Sequence, residues 1–176
     1  MTTTHTDATE AEITAWLLGR LPAEWTEAGA PDITIDREEI TVVLPLRQPD
    51  APGDEPSVRA EAAAGRAAGF REDTRERRMG VAREAEHRFD RKVAWGVRID
   101  DSTVLFTHLA MPVMTRLRQP ERLVLDTLVA ANVARSRADA LAWCVRLVGK
   151  HSDEWLSDLR TALHDVERLR SEGPSL

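Results

Sequence analysis

Residues 113–122, VMTRLRQPER, combine the pattern of a short strand with the opening of a helix. Alternation with a period of two places three side chains on one face of that strand: Met114, Arg116 and Arg118. The alternate residues, Leu117 among them, form the opposite face, which we expect to turn inward. Pro120 suits the first turn of a helix, where its missing N–H would have no partner. The stretch therefore predicts a strand with one free face that runs directly into a helix.

Two helices are predicted after this strand. The first ends near Asn132, a residue type that tolerates the left-handed backbone of a helix C-terminus. Ser136 and Asp139 resemble a capping box at the start of the second helix. That second helix contains LAWCVRLV at residues 141–148 and is apolar on almost every side. A helix of this kind must be buried on more than one face.

One strand and one short helix cannot cover the second helix within a single chain. A second copy of the same unit is the simplest source of the apolar surface needed to cover this helix. The sequence therefore predicts a homodimer through residues 112–149. The expected dimer core consists of apolar residues from the strand and from both helices: Leu117, Leu125, Leu128, Leu141, Trp143, Val145 and Val148.

The segment 114–145, MTRLRQPERLVLDTLVAANVARSRADALAWCV, resembles the ribbon-helix-helix family of DNA-binding proteins. In that family two chains pair their strands into an antiparallel ribbon that enters the major groove. The resemblance implies base contacts from Met114, Arg116 and Arg118. It also implies phosphate contacts at the start of the second helix, from Arg135, Ser136 and Arg137. The function it implies is that of a dimeric, sequence-specific transcriptional regulator such as a repressor.

An α+β region, residues 1–109, is predicted ahead of this unit, which together with a terminal helix occupies residues 110–176. Thr9 and Glu12 have the form of a capping box before an amphipathic helix. The alternating stretch DITIDREEITVVLPL that follows predicts a β-hairpin. The proline-rich segment 47–56 predicts a linker or mobile loop.

Residues 57–89 predict one long helix, or two helices that meet near residues 65–69. The charges in this stretch alternate in sign, and i,i+4 pairing on a solvated face explains that pattern. KVAWGVRI and TVLFTHL then predict a second hairpin. The fold class is α+β, and the role of the first region stays open between oligomerisation, effector sensing and contact with a partner protein.

Charge is distributed unevenly along the chain. The formal net charge is −6, which by itself argues weakly against binding nucleic acid. Residues 111–150, however, contain seven basic and three acidic side chains, a local charge of +4. This local excess favours a functional role for the arginines of the predicted strand over simple solvation.

Catalysis has little support in the sequence. The five histidines are scattered without metal-ligand spacing, and the single cysteine, Cys144, lies in an apolar helical run. No glycine-rich phosphate loop or nucleophile elbow is present. We therefore expect a protein that is not an enzyme and that uses no cofactor or metal.

The sequence also bears on location. No stretch approaches the roughly 20 apolar residues of a membrane span. The start, MTTTHTDATEAE, is polar and acidic, which is unlike a secretory signal. We expect a cytoplasmic protein without a membrane partner.

Two other functions remain open at this point. The same dimer core would serve a protein-interaction module, such as an antitoxin-like or scaffold dimer with no DNA role. The arginine-rich helix of residues 71–91 could instead contact RNA or the ribosome. Salt dependence separates the first alternative from DNA binding, because arginines that displace counterions from phosphates give steeply salt-dependent affinity.

Overall fold

The computed structural model describes residues 8–53 and 55–172, and the chain divides into two compact units, Met1–Pro112 and Val113–Leu176. We call these the N-terminal unit and the C-terminal unit. The N-terminal unit mixes helices with a sheet, and the C-terminal unit contains three helices in its described residues. The α+β class predicted from the sequence is confirmed at this level.

The helices and strands follow one another along the chain as α1 (Glu10–Arg20), β1 (Asp32–Ile35), β2 (Glu39–Pro45), α2 (Pro56–Asp73), α3 (Arg75–Phe89), β3 (Lys92–Ile99), β4 (Ser102–Leu105), α4 (Gln119–Ala130), α5 (Arg137–His151) and α6 (Asp153–Glu172). A short 3₁₀ turn, Ala23–Trp25, follows α1. The segment 46–53 lies in no helix or strand.

The sheet of the N-terminal unit has the order β1-β2-β3-β4. Both predicted hairpins are present, because β1 pairs antiparallel with β2 and β3 pairs antiparallel with β4. The sequence did not predict that β2 and β3 join the hairpins as a parallel pair, with Leu44 opposite Val97. A parallel pair needs a long crossover, which α2 and α3 supply.

Glycine is required at one place in this sheet. A Cβ added to Gly96 would lie 2.7 Å from a side-chain carbon of Leu105 on the neighbouring strand. The Leu105 side chain could turn aside, but the added Cβ would also lie 3.0 Å from the backbone oxygen of Val104, so a side chain at position 96 would push the paired strand away.

The core of the N-terminal unit lies between α1 and the sheet, with α2 and α3 contributing. Alternation buries Ile40, Val42 and Leu44 on one face of β2. Trp95 of β3 is 2% exposed, and its ring meets that of Trp25 edge-on at 6.0 Å between centroids. Aromatic pairs in this orientation stabilise a core beyond the area they bury.

The start of α1 forms the predicted capping box. The N–H of Glu12 donates to the Thr9 hydroxyl at 3.3 Å, and the N–H of Thr9 donates to the Glu12 carboxylate at 2.8 Å. These bonds satisfy two N–H groups that the first turn of a helix leaves unpaired. The Thr9 N–H first, and then the Thr9 hydroxyl, which donates to the same carboxylate at 2.9 Å, lower the pKa of the Glu12 carboxyl.

The predicted long helix is two helices, but their junction is at Thr74 and the expected junction at residues 65–69 is wrong. Those residues lie inside α2, where glycine is tolerated at a modest cost. At Thr74 the hydroxyl donates to the Phe70 carbonyl at 2.5 Å and accepts from Nε of Arg78 at 2.9 Å. A hydroxyl that bonds back into the preceding turn destabilises a helix slightly, which is consistent with the interruption between α2 and α3 at this residue.

The C-terminal unit has a small core. In the part of this unit that the structure describes, the buried apolar residues are Leu125, Ala134 and Ala140, and other side chains pack partly against them. Within the described ranges, no helix of either unit is both long enough and apolar enough to cross a membrane.

Candidate nucleic-acid interface

The predicted ribbon lies in a segment without regular structure, residues 107–118. Strand assignment requires a hydrogen-bonded neighbour, and none of the described residues pairs with this segment. Met114 is 97% exposed, and Arg116 and Arg118 are exposed as well. Neither arginine forms an ion pair or side-chain hydrogen bond with any described residue. The three proposed base-contacting side chains are therefore all accessible.

The opposite face of this segment is only partly turned inward. Leu117 packs against the core of the C-terminal unit, and Arg122 fixes the backbone there by donating from Nη1 to the Leu117 carbonyl at 2.8 Å. Val113 is 85% exposed, so the expectation of an inward face is wrong for this residue within one chain. Val113 lies four residues before Leu117, and no described side chain of the C-terminal unit covers it.

The turn between α4 and α5 follows the sequence prediction closely. Pro120 lies in the first turn of α4. Asn132 adopts a left-handed φ of 57°, and the N–H of Val133 donates to the Leu128 carbonyl at 3.0 Å. Ser136 is the N-cap of α5, with its hydroxyl accepting from the N–H of Asp139 at 3.2 Å. This geometry fixes where α5 begins.

The carboxylate of Asp139 does not close the predicted capping box, which would require it to accept from the N–H of Ser136. It accepts from the N–H of Arg135 at 3.0 Å, one residue before the N-cap. The N–H groups of Ser136, Arg137 and Ala138 donate to no acceptor among the described residues, as expected for the first turn of a helix. These N–H groups carry the positive end of the helix dipole.

Arg137 is held in an ion pair, which the sequence did not predict. Its Nε and Nη2 donate to the two carboxylate oxygens of Asp126 at 2.6 and 2.7 Å. The hydrogen bonds from Arg137 come first among the causes that lower the pKa of the Asp126 carboxyl. The pair joins α4 to α5 and leaves the Arg137 guanidinium less available to a phosphate than Arg135.

The predicted dimer core divides into two groups by burial. Leu125 is buried, and Leu128 and Leu141 are half-buried against it together with Leu117. Trp143 is half-buried too. Val145 is 65% exposed and Val148 is also exposed. The sequence predicts that α5 is buried on more than one face, but the described residues of the chain cover only one of its faces.

Other large apolar side chains of the C-terminal unit are exposed as well: Leu123, Val124, Leu147, Trp155, Leu159, Leu163 and Val166. Scattered exposed apolar residues are normal, but a unit that exposes most of its large apolar side chains has surface on which another molecule could pack. Cys144, expected to be buried, is half-buried.

The arginine-rich helix proposed as an RNA contact has a different environment. Arg77 pairs with Glu24 at 2.6 Å, and its guanidinium lies 5.3 Å from the centre of the Trp25 ring. Glu84 pairs with Arg20 of α1 at 2.6 Å. The expected i,i+4 pairing within this stretch is replaced at these positions by pairs to other elements. In residues 8–53 and 55–172, no three histidine, cysteine, aspartate or glutamate side chains gather as metal ligands would.

The fold and this surface define a chain of two units, an α+β unit followed by a helical unit. Residues 11–105 match the family model described as Rv1265-like protein, N-terminal domain, and residues 118–170 match the Mb1296 C-terminal domain. The boundaries of the two models fall on either side of the division at Pro112.

The chain belongs to the Rv1265-like family. It is 55% identical to the uncharacterized proteins Rv1265 of Mycobacterium tuberculosis and Mb1296 of Mycobacterium bovis, over 161 residues. These matches cover 92% of this chain and 70% of each relative. No solved structure matches the chain.

Proposed function

We propose that this protein is a dimeric DNA-binding protein that acts in the bacterial cytoplasm as a transcriptional regulator. Two copies pair residues 113–118 into a ribbon, and Met114, Arg116 and Arg118 reach base edges in the major groove. The protein performs no catalysis in this role. The observation that carries the proposal is the accessibility of these three side chains immediately before a helix pair with uncovered apolar residues.

The start of α5 supports a phosphate contact. Ser136 fixes the helix N-terminus, and the N–H groups behind it have no acceptor in the described part of the chain. A helix N-terminus with free N–H groups attracts anions through both hydrogen bonds and the helix dipole. Arg135 has no side-chain partner among the described residues, so it adds a mobile positive charge at the same place.

The test is selection of bound DNA from a genomic library by the purified full chain, at two salt concentrations. A short, roughly palindromic motif is expected, because two copies related by a two-fold axis present the same contacts to both half-sites. The variant with Arg116→Ala and Arg118→Ala should lose that motif. Replacing Arg116 alone should reduce discrimination against a wrong base pair by about 1 to 3 kcal/mol.

Arg160→Ala is the matched control. Arg160 is an exposed arginine of α6 in the same unit, so its removal lowers the net charge equally without touching the ribbon. It should leave the selected motif unchanged. Equal losses on selected and random DNA for Arg116→Ala would contradict base recognition and leave only backbone contact.

A protein-interaction dimer is the second candidate, and the Arg137–Asp126 pair favours it. That pair occupies a guanidinium that DNA binding assigns to a phosphate. If the folded dimer enriches no DNA at low salt, the regulator is contradicted and the interaction module is supported. Nucleic-acid binding that is lost on changing Arg77, Arg78 and Arg83, with changes of Arg116 and Arg118 neutral, would instead support the RNA alternative.

A further inference from the structure

A cavity of about 590 Å³ opens on the N-terminal unit, between α2, α3 and the end of β4. Three arginines, Arg71, Arg75 and Arg78, share this cavity with Phe106 and with alanines of α2. The volume falls within the range of small-molecule sites, which is about 300 to 1,000 Å³. Nothing in the proposed DNA contact uses these residues.

Arg78 is the unusual member of the group. It is only 5% exposed, yet none of the described residues offers it a carboxylate. Its Nε donates to the Thr74 hydroxyl at 2.9 Å and its Nη2 to the Arg71 carbonyl at 2.6 Å, while Nη1 receives no acceptor from the described chain. A buried charge without an ion partner is costly, and structures normally keep one only where something neutralises it.

The two neighbouring arginines add to this charge. Arg71 and Arg75 are exposed and form no ion pair with any described residue. Arg71, Arg75 and Arg78 are spaced four and three residues apart across the α2–α3 junction, so they share one face, where like charges repel. Burial first, and then these two neighbours, lower the pKa of Arg78, although an arginine stays charged in any ordinary protein setting.

Glu72 is the one carboxylate in the cavity lining, where it faces three guanidinium groups. It makes no ion pair in the ranges that the structure describes. The lining therefore keeps a net positive charge of about two.

Apart from Thr107, the rest of the lining is apolar. The Arg78 guanidinium lies 4.9 Å and the Arg71 guanidinium 5.9 Å from the centre of the Phe106 ring. Ala67 and Ala68 present small side chains that leave room for a flat body beside that ring. An apolar wall next to a cluster of fixed donors is the usual composition of a site for a small molecule with one charged end.

We propose that this cavity binds a small organic anion. A phosphate or carboxylate group pairs with Arg71, Arg75 and Nη1 of Arg78, and an aromatic or other apolar body lies against Phe106 and the alanines of α2. Planar guanidinium groups suit this task, because they bind the oxygens of phosphates and carboxylates in pairs and also stack on aromatic rings. The Thr74 hydroxyl and the Arg71 carbonyl accept from Nε and Nη2 of Arg78, which leaves Nη1 for the ligand.

Phenyl phosphate is the probe, since it carries both halves of the proposed ligand. Titration into the full chain in low-salt buffer, followed by calorimetry, should give saturable binding at one site per chain. Inorganic phosphate and phenol each contain one half, so each should bind at least about tenfold more weakly. The variant with Arg71→Gln and Arg75→Gln should also weaken phenyl phosphate at least about tenfold.

Two further variants test whether binding depends on this cavity or only on the positive charge of α2. Arg66→Gln removes a positive charge from α2 at an exposed position outside the cavity, and it should leave the affinity unchanged. Ala68→Trp keeps every charge but fills the cavity, and it should abolish binding while the circular dichroism spectrum stays that of the parent.

Three results would overturn the proposal. They are the absence of saturable binding by phenyl phosphate, equal affinity for inorganic phosphate, and equal loss of affinity in Arg66→Gln. None depends on whether the C-terminal unit binds DNA.

Discussion

The two units bury their large side chains to very different extents. The N-terminal unit encloses Trp95, Trp25 and the inner face of β2 without help from another chain. Among its described residues, the C-terminal unit buries one large apolar side chain, Leu125, and leaves Val145 and Val148 accessible. Within the described residues, the first unit has a closed apolar core, whereas the second leaves most of its large apolar side chains exposed.

This difference indicates where a second copy would add stability. Apolar burial contributes about 25 cal/mol per Å², so covering exposed valines, leucines and tryptophan is a strong driving force for association. Covering the N-terminal core again would gain nothing. The comparison therefore predicts that stability depends on concentration in the C-terminal unit and does not in the N-terminal unit.

The largest expected effect comes from truncating a buried tryptophan. Trp95→Ala should destabilise the N-terminal unit by about 3 to 5 kcal/mol, because it leaves a cavity beside Trp25. Urea denaturation followed by circular dichroism measures this. Trp155→Ala is the matched control, since Trp155 is exposed in α6. Similar shifts for the two variants would contradict the difference in core completeness.

A charge in the uncovered surface of α5 should have the next largest effect. In the proposed dimer Val145→Asp buries an unpaired carboxylate, which should cost about 3 kcal/mol, roughly a hundredfold in the dimer Kd. Helical content should be kept, since Val145 is exposed within one chain. Sedimentation across a concentration series measures the dimer. Ala60→Asp, exposed on α2, introduces the same charge in the N-terminal unit and should leave the Kd unchanged.

An unchanged Kd in Val145→Asp would place the dimer contact elsewhere. A monomer for the parent protein at all concentrations would remove the ribbon as well, since a two-stranded ribbon needs two chains.

The sequence predicted the elements well because their signals are local. Capping at Thr9 and Ser136, the left-handed Asn132 and both hairpins depend on residues a few positions apart. The parallel β2–β3 pair was missed, because its strands are separated by two helices and no local pattern specifies it. The junction at Thr74 was missed although its bonds, to the Phe70 carbonyl and from Arg78, span only four residues, because the sequence does not show whether a threonine within a helix bonds back into the preceding turn.

The two candidate sites, the exposed segment and the arginine cavity, also differ in how far the sequence alone reveals them. The exposed residues Met114, Arg116 and Arg118 could be named from alternation alone. The arginine cavity was hidden, because alternating charge was interpreted as a solvated face. A signal was present, since Arg71 and Arg75 are like charges four residues apart, which is unfavourable without a counter-ion. Phe106 could not be added to them without the fold.

Removing a helix cap should have a smaller effect on stability, and the effect should be similar in the two units. Thr9→Ala in the N-terminal unit and Ser136→Ala in the C-terminal unit should each cost about 1 kcal/mol, because each removes the acceptor for an N–H in a first turn. Thr9→Ser and Ser136→Thr keep the hydroxyl and are the matched controls. Thermal denaturation measures both pairs. A loss in the controls as large as in the alanine variants would show that the hydroxyl bond is not the cause.

The smallest effect should come from the ion pair in each unit. Glu84 pairs with Arg20, Asp126 pairs with Arg137, and the hydrogen bond from arginine is the first cause that lowers the pKa of each carboxyl. A lowered folded-state pKa stabilises the protein above the pKa of the unfolded chain, and this contribution disappears as the pH falls through the lowered value. Arg20→Gln and Arg137→Gln should each raise the pKa of the partner carboxyl, which carboxyl NMR during a pH titration measures.

The same titration distinguishes the two pairs once DNA is added. If Arg137 turns to a phosphate in the proposed complex, Asp126 loses its hydrogen bonds and its pKa should rise, whereas the pKa of Glu84 should stay where it was. A pKa of Asp126 that DNA leaves unchanged would mean that Arg137 holds α4 and α5 together and that Arg135 and the N–H groups at Ser136 make the phosphate contact without it.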